Sequence, residues 1–281
     1  MPDQVRHDGT RVTFRTTTRN MTDRGSKNLM INVKNLSISF TDGVIIDDIS
    51  FHVKRGETLV VMGKNGSGKS VLLKSLAGLI DEYAGTIEID GVNINELFSQ
   101  RGKSLKQDDQ TCVVSYVFQK GGLFDSYNIF DNTAFGLRRL GVIEDEAAQR
   151  ALSAIERVGL KGSEEKLPSE LSGGMQKRAG LARAVCMNPA VILYDDPTAG
   201  LDPILTDSIT DLIIEIKQSL NTTSIVATND LKVAKKVADK IALLYSGRFV
   251  AYMESAEFFS ESDPYAKQFI RGELEGPIDV L

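Results

Sequence analysis

The chain has 281 residues, 42% of them hydrophobic and 25% charged, enough apolar material for one large domain or two small ones. Thirty-eight acidic against 33 basic side chains leave a net charge of -5, which argues against a general nucleic-acid binder. No apolar run is long enough for a membrane span, and two cysteines far apart, Cys112 and Cys186, exclude a disulfide scaffold and read as buried thiols of a cytosolic protein.

Residues 1–29 hold six Arg or Lys against three Asp, with no apolar periodicity, and are expected to be a disordered tail. They lack the apolar stretch of a secretory signal. Two other readings stand beside that one: a start at Met30, where patterning begins, or a basic segment touching a membrane surface or a partner. From Met30 the pattern is that of strands. Ile31 to Val33 and Leu36 to Phe40 alternate, Thr41-Asp42-Gly43 is a turn, and Val44 to Val53 is extended again. Thr58 to Met62 is a continuous apolar run that suits a strand buried on both faces.

Gly63-Lys64-Asn65-Gly66-Ser67-Gly68-Lys69-Ser70 follows that run and fits the phosphate-binding pattern G-x-x-x-x-G-K-[ST]. Its glycines let consecutive N–H groups turn toward phosphate oxygens, Lys69 reaches the β- and γ-phosphates, and the Ser70 hydroxyl suits Mg²⁺. A helix from Lys69 to about Leu79 presents its positive end to the same anion. Residues 96–110 are polar and are expected to be a loop.

Helices are predicted at Glu144 to Val158, Ser172 to Met187, Pro203 to Leu220 and Leu231 to Asp239, with buried strands at Ala190 to Tyr194 and Ser224 to Ala227. Alternating strands and helices give an α/β fold around a parallel sheet, and the early strands, which lack helices between them, add an antiparallel layer. Asp195 and Asp196 close a buried strand at its carboxyl end, where ligands of such sheets collect. Asp195 there suits Mg²⁺, in the manner of a Walker B strand.

Between these sites lies Leu171-Ser172-Gly173-Gly174-Met175-Gln176, with Ser172 23 residues before Asp195. This resembles the LSGGQ signature of ABC transporter ATPases, and the resemblance runs over about residues 30–253. It implies a P-loop NTPase with a RecA-like core, an antiparallel β subdomain, a helical signature subdomain near 125–187 and a C-terminal helical extension over 254–281. By that resemblance Phe40 stacks on adenine, Gln119 touches Mg²⁺ and senses the membrane subunits, and Ala199 to Asp202 form the D-loop. Ser172, Gly173 and Gly174 form a second anion site at a helix start, closing over ATP held by the opposite subunit, so function requires a dimer.

Finer strings look like the ATPases of Mce-type lipid transporters: SGGMQKRAGLARA from Ser172, DPTAGLDP from Asp196, QKGGLFDSYNIFDN from Gln119, and Gln268 to Gly272 followed by Gly276-Pro277. They imply a peripheral ATPase on the cytoplasmic face of the inner membrane. Its partners would be integral-membrane permease subunits and an Mce-domain protein, its substrate lipid. Two positions depart from the family pattern. The general base is usually Glu, and here Asp196 is shorter by about 1.5 Å of reach. The switch histidine is replaced by Asn229, which can hydrogen-bond the γ-phosphate but cannot take up and release a proton as imidazole can. These leave two readings, an attenuated ATPase or a degenerate half paired with a competent one. Leu123, Phe124 and Tyr127 are the candidates for a permease-facing groove; Ile129 and Phe130 are expected in the core.

Overall fold

A computed structural model describes residues 28–99 and 114–279 of the chain. The expected tail up to residue 27, Cys112 and residues 100–110 of the polar stretch lie outside the described residues.

Burial pattern sets the architecture. In β3 (Thr58–Met62), β7 (Val191–Asp195) and β8 (Thr223–Ala227) every residue is buried, so each strand needs cover on both faces. They lie in a six-stranded sheet of order β10-β9-β3-β8-β7-β6, completed by β6 (Val114–Val117), β9 (Lys240–Tyr245) and β10 (Arg248–Glu254). All its pairings are parallel except the β9–β10 hairpin. Alternate residues serve two cores: Val60, Met62, Ile192 and Tyr194 face one, and Leu59, Val61, Val191 and Leu193 face the other. The second core is covered by α1 (Lys69–Leu76) and by an antiparallel sheet of order β2-β1-β4-β5. That sheet comprises β1 (Leu29–Phe40), β2 (Gly43–Lys54), β4 (Ala84–Ile89) and β5 (Val92–Asn93). It is the expected antiparallel layer, and the molecule is an α/β P-loop NTPase.

One expectation fails here. Residues 96–99 belong to a short helix, α2 (Ile94–Ser99), because Ile94 and Leu97, three apart, both bury their side chains. The Asn93 side chain also caps its start, accepting from Asn95 N at 2.9 Å.

Three helices form a block beside the sheet: α3 (Ile129–Arg139), α4 (Glu144–Arg157) and α5 (Gly173–Val185). Asn128 caps α3, Ser172 caps α5, and three acids in the first turn of α4 complement its dipole. Small Ala147, Ala151 and Ala154 line the buried face of α4, allowing close approach. The helices α6 (Pro203–Leu220) and α7 (Leu231–Val237) flank the sheet, started by Asp202 and Asp230. The C-terminal helices α8 (Ser255–Phe259) and α9 (Pro264–Arg271) return to the main core through fully buried Phe258. Gln268 then pins the final segment, its Oε1 accepting from Ile278 N at 2.7 Å.

Several polar side chains are tied into the surface. His52 is half-buried with its ring edge on Tyr252 at 6.3 Å, and burial lowers its pKa. Arg138 pairs with Asp131 and Glu144 on the exposed face of α3 and lies 5.5 Å over the Phe130 ring. Lys236 bridges Asp207 and Asp211 across helices, and Lys235 lies 5.7 Å over Phe259. Ile129 is fully buried and Phe130 packs against the core, as expected.

Asn132 holds the segment before α3. Fully buried, it accepts from Phe124 N at 2.8 Å and donates to the carbonyls of Phe124, Tyr127 and Asn128. Deleting that amide orphans buried backbone groups, each worth about 1–3 kcal/mol. Asn132→Ala is therefore expected to lower stability by about 2–3 kcal/mol in urea unfolding.

Candidate nucleotide-binding site

Parallel strands end on one edge, so the segments after β3, β6, β7 and β8 converge. Residue pairings place Val61 beside Ala227, Ala227 beside Asp195, and Tyr194 beside Val117. A cleft of about 730 Å³ opens at these ends, lined by residues that include Asn65, Lys69, Ser70, Gln119, Asp195, Asp196 and Asn229. Its other walls come from Ile45 of β2 and from Thr198 to Leu201.

Backbone geometry builds the loop between β3 and α1. Gly63 (φ +149), Gly66 (+79) and Gly68 (+102) lie where only glycine is at ease, and a Cβ on Gly63 would meet Leu244 O at 2.3 Å. Lys69 Nζ donates to the carbonyls of Gly63 and Lys64 at 2.6 and 2.9 Å, folded back along the loop. Burial lowers its pKa, opposed by Asp196 and Asp195. Ser67 Oγ is buried with no protein partner. A glycine cradle, an orphaned hydroxyl and a lysine aimed along the loop suit a polyphosphate.

The carboxylates sit opposite. Ser70 Oγ donates to Asp195 Oδ1 and Tyr116 OH to Asp195 Oδ2, both at 2.8 Å. Burial and the neighbouring Asp195 raise the Tyr116 pKa, so the phenol stays a donor. Among the described residues no three acidic, histidine or cysteine side chains cluster as a closed metal site. The hard oxygens of Ser70 and Asp195 match Mg²⁺, which keeps waters and phosphate oxygens as its remaining ligands.

Asp196 takes a left-handed backbone (φ +46), its N–H bonded to Ala227 O at 2.9 Å. Burial raises its pKa, while Lys177 and Lys69 pull it back. Gln119 Nε2 lies 3.5 Å from Asp196 Oδ2, and Asn229 Nδ2 donates to Asn65 Oδ1 at 3.2 Å, over the phosphate loop.

Other expected residues lie elsewhere. Phe40 is 46% exposed at the tip of the β1–β2 hairpin and does not line the cleft. Ser172 and Gly173 are exposed at the start of α5, also outside it, and Gly174 is buried against Leu205. Within one chain, the phosphate loop and the signature are thus separate surfaces. Sequence reading missed Tyr116 and Lys177. Nothing local marks either: Tyr116 lies in a four-residue strand, and Lys177 reads as one of several cations on α5.

A phosphate loop on a parallel sheet, with hydroxyl and carboxylate oxygens at the adjacent strand end, defines a P-loop nucleotide-binding protein. The family model described as ABC transporter matches residues 46–199. The probable ribonucleotide transport ATP-binding protein mkl of Mycobacterium leprae is 37% identical over 89% of this chain and 71% of its own length. The intermembrane phospholipid transport system ATP-binding protein MlaF of Haemophilus influenzae is 36% identical over 89% of this chain and 93% of its own. A solved dimeric ATP-binding cassette, described as a post-hydrolysis state with ADP and Pi, superposes with a TM-score of 0.69 at 27% identity, over 80% of this chain and 99% of that one. The chain belongs to the ABC transporter family, as one of its ATP-binding subunits.

The raised pKa of Asp196 means its ionised form is disfavoured on folding. For such a carboxyl, stability is fully present below the unfolded pKa and lost as pH rises through the folded one. Asp196→Asn, which keeps the shape without the charge, is expected to raise the melting temperature of the nucleotide-free protein at neutral pH. The gain should vanish below about pH 4, the ordinary aspartate range, in thermal scans across pH.

Proposed function

We propose that this chain hydrolyses ATP with Mg²⁺ to drive a membrane lipid transporter: a phospholipid is the substrate, a homodimer the working unit, and an integral-membrane permease its partner.

 
In this reading the chain is an ATP-driven motor subunit on the cytoplasmic face of the inner membrane, with an Mce-domain protein as a further partner. One observation carries it: Lys69, the Ser70–Asp195 pair and Asp196 meet in a single cleft at the carboxyl ends of β3 and β7.

The loop N–H groups and Lys69 would hold the β- and γ-phosphates, and Ile45 of β2 lines the same cleft. Ser70, Asp195 and Gln119 would hold Mg²⁺, which when bound neutralises charge developing on the phosphates. Asp196 accepts the proton of the attacking water, and Gln119 beside it orients that water. Asn229 reaches the phosphate end through an amide alone. Ser172 and Gly173, exposed at the start of α5 with Gly174 buried behind them, are presented for the nucleotide of the opposite subunit.

Lipid as substrate rests on the strings at Gln119, Ser172 and Asp196 and on the match to MlaF over nearly its whole length. The mkl relative carries a different substrate in its name, so the test has two arms. The chain is purified with its permease in phospholipid vesicles, and ATPase stimulation and transfer are compared for phospholipid and for ribonucleotide. Stimulation by ribonucleotide alone would overturn the lipid reading.

A second reading, attenuated hydrolysis, is favoured by the short Asp196 and by Asn229. Asp is among the residues that best tolerate a left-handed backbone, and Glu tolerates it less. Asp196→Glu is therefore expected to raise kcat by restoring reach while lowering the melting temperature slightly. Unchanged or lower turnover in steady-state assays would show that reach is not limiting.

By the same reading the permease docks on the aromatic surface after Gln119. Phe124 and Tyr127 are 38% and 40% exposed, and a groove of about 420 Å³ beside them is lined by Tyr127, Asp131, Phe135, Arg138 and Arg139. Leu123 instead packs against the core. Two outcomes follow. Lys69→Ala should abolish ATP binding with the fold retained, measured by calorimetry and circular dichroism. Phe124→Asp should keep ATP binding but release the chain from the permease in co-purification.

A further inference from the structure

Lys177 is a cation only 9% exposed, in the middle of α5, and among the described residues no carboxylate pairs with it. A buried ammonium without an ion pair must satisfy its donors on other oxygens. Its Nζ donates to the carbonyl of Gln119 and lies 3.5 Å from the carbonyl of Asp196. Those carbonyls belong to the two residues whose side chains meet in the cleft, 3.5 Å apart. One ammonium from the signature helix therefore grips both backbones.

The surroundings leave it little freedom. The Asp196 N–H is held by Ala227 O at 2.9 Å, so its left-handed backbone is secured from β8 on one side and from α5 on the other. The segment after Gln119 lies directly on α5. A Cβ on Gly180 would stand 2.8 Å from Gly121 O, and one on Gly121 would stand 3.1 Å from Gln176 O. Arg183 donates to Gly122 O and covers the Phe124 ring at 4.7 Å.

We infer that Lys177 is a positioning residue: it sets where the side chains of Gln119 and Asp196 point, and it makes their placement follow the position of α5. The helix that presents Ser172 on one surface is thereby tied to the chemistry of this chain's own cleft. The inference rests on reading that cleft as the ATP site with Asp196 as base.

The test compares steady-state ATP hydrolysis by the full-length chain with that of Lys177→Met, which keeps an unbranched apolar stem and removes the ammonium donors. A catalytic group displaced by about 1 Å costs on the order of a hundredfold in rate. Lys177→Met is expected to lower kcat by about ten- to a hundredfold while KM for ATP changes by less than about threefold, and Lys177→Arg should recover much of the loss. If Lys177 acts through Gln119, the loss in Lys177→Met with Gln119→Ala should be smaller than the product of the two single losses. A folded Lys177→Met with wild-type kcat, or fully multiplicative losses, would overturn the inference. Should Lys177→Met not fold, Lys177→Gln, which keeps a donor on a shorter arm, carries the same comparison. Hydrolysis that survives Lys69→Ala at the wild-type rate would instead overturn the reading of the cleft, and the inference with it.

Discussion

Strands buried on both faces can satisfy their backbone groups only by pairing with one another, and that constraint organises this molecule. β3, β8, β7 and β6 pair in parallel, so every turn that follows them emerges on the same edge. The phosphate loop, Gln119, the Asp195–Asp196 pair and Asn229 each stand at, or within two residues of, the carboxyl end of one strand. Their proximity is a consequence of strand direction and register. No direct attraction between them is needed to assemble the cleft.

What the site holds is expensive in isolation. Lys69 and Lys177 are cations partly withdrawn from water, and Asp196 is a carboxylate in the same condition, so burial disfavours the charged form of each. Their mutual attraction offsets part of that cost and leaves the rest as a stability sacrifice of the empty protein. A polyphosphate with a divalent cation brings charges that such a cluster can accept. The left-handed backbone of Asp196 adds a second local cost, endured where the surrounding hydrogen bonds over-determine it.

The helical block packs against the segment that leads into the cleft with little space between them. Gly121 and Gly180 let the loop after Gln119 touch α5, and Arg183 and Asn132 anchor that loop from either side. The exposed aromatic residues Phe124 and Tyr127 sit on the same loop. The aromatic surface, the segment after Gln119 and α5 are therefore packed as one continuous body.

The local features were legible in the sequence because short-range physics decides them. Glycine spacing marked the loop at Gly63, Gly66 and Gly68, Ser172, Asp202 and Asp230 marked helix starts, and continuous apolar runs marked β3, β7 and β8. Resemblance added Gln119 and Asn229. Short half-buried elements escaped: β6, with four residues, carries too little periodicity to identify, and α2 hid in a polar stretch. Tertiary structure alone decided that Tyr116 holds Asp195, that Lys177 holds the carbonyls of Gln119 and Asp196, and that Asp196 is left-handed. Each of these depends on residues 19 to 79 positions apart in the chain brought together by parallel pairing, and no local pattern encodes a contact at that range.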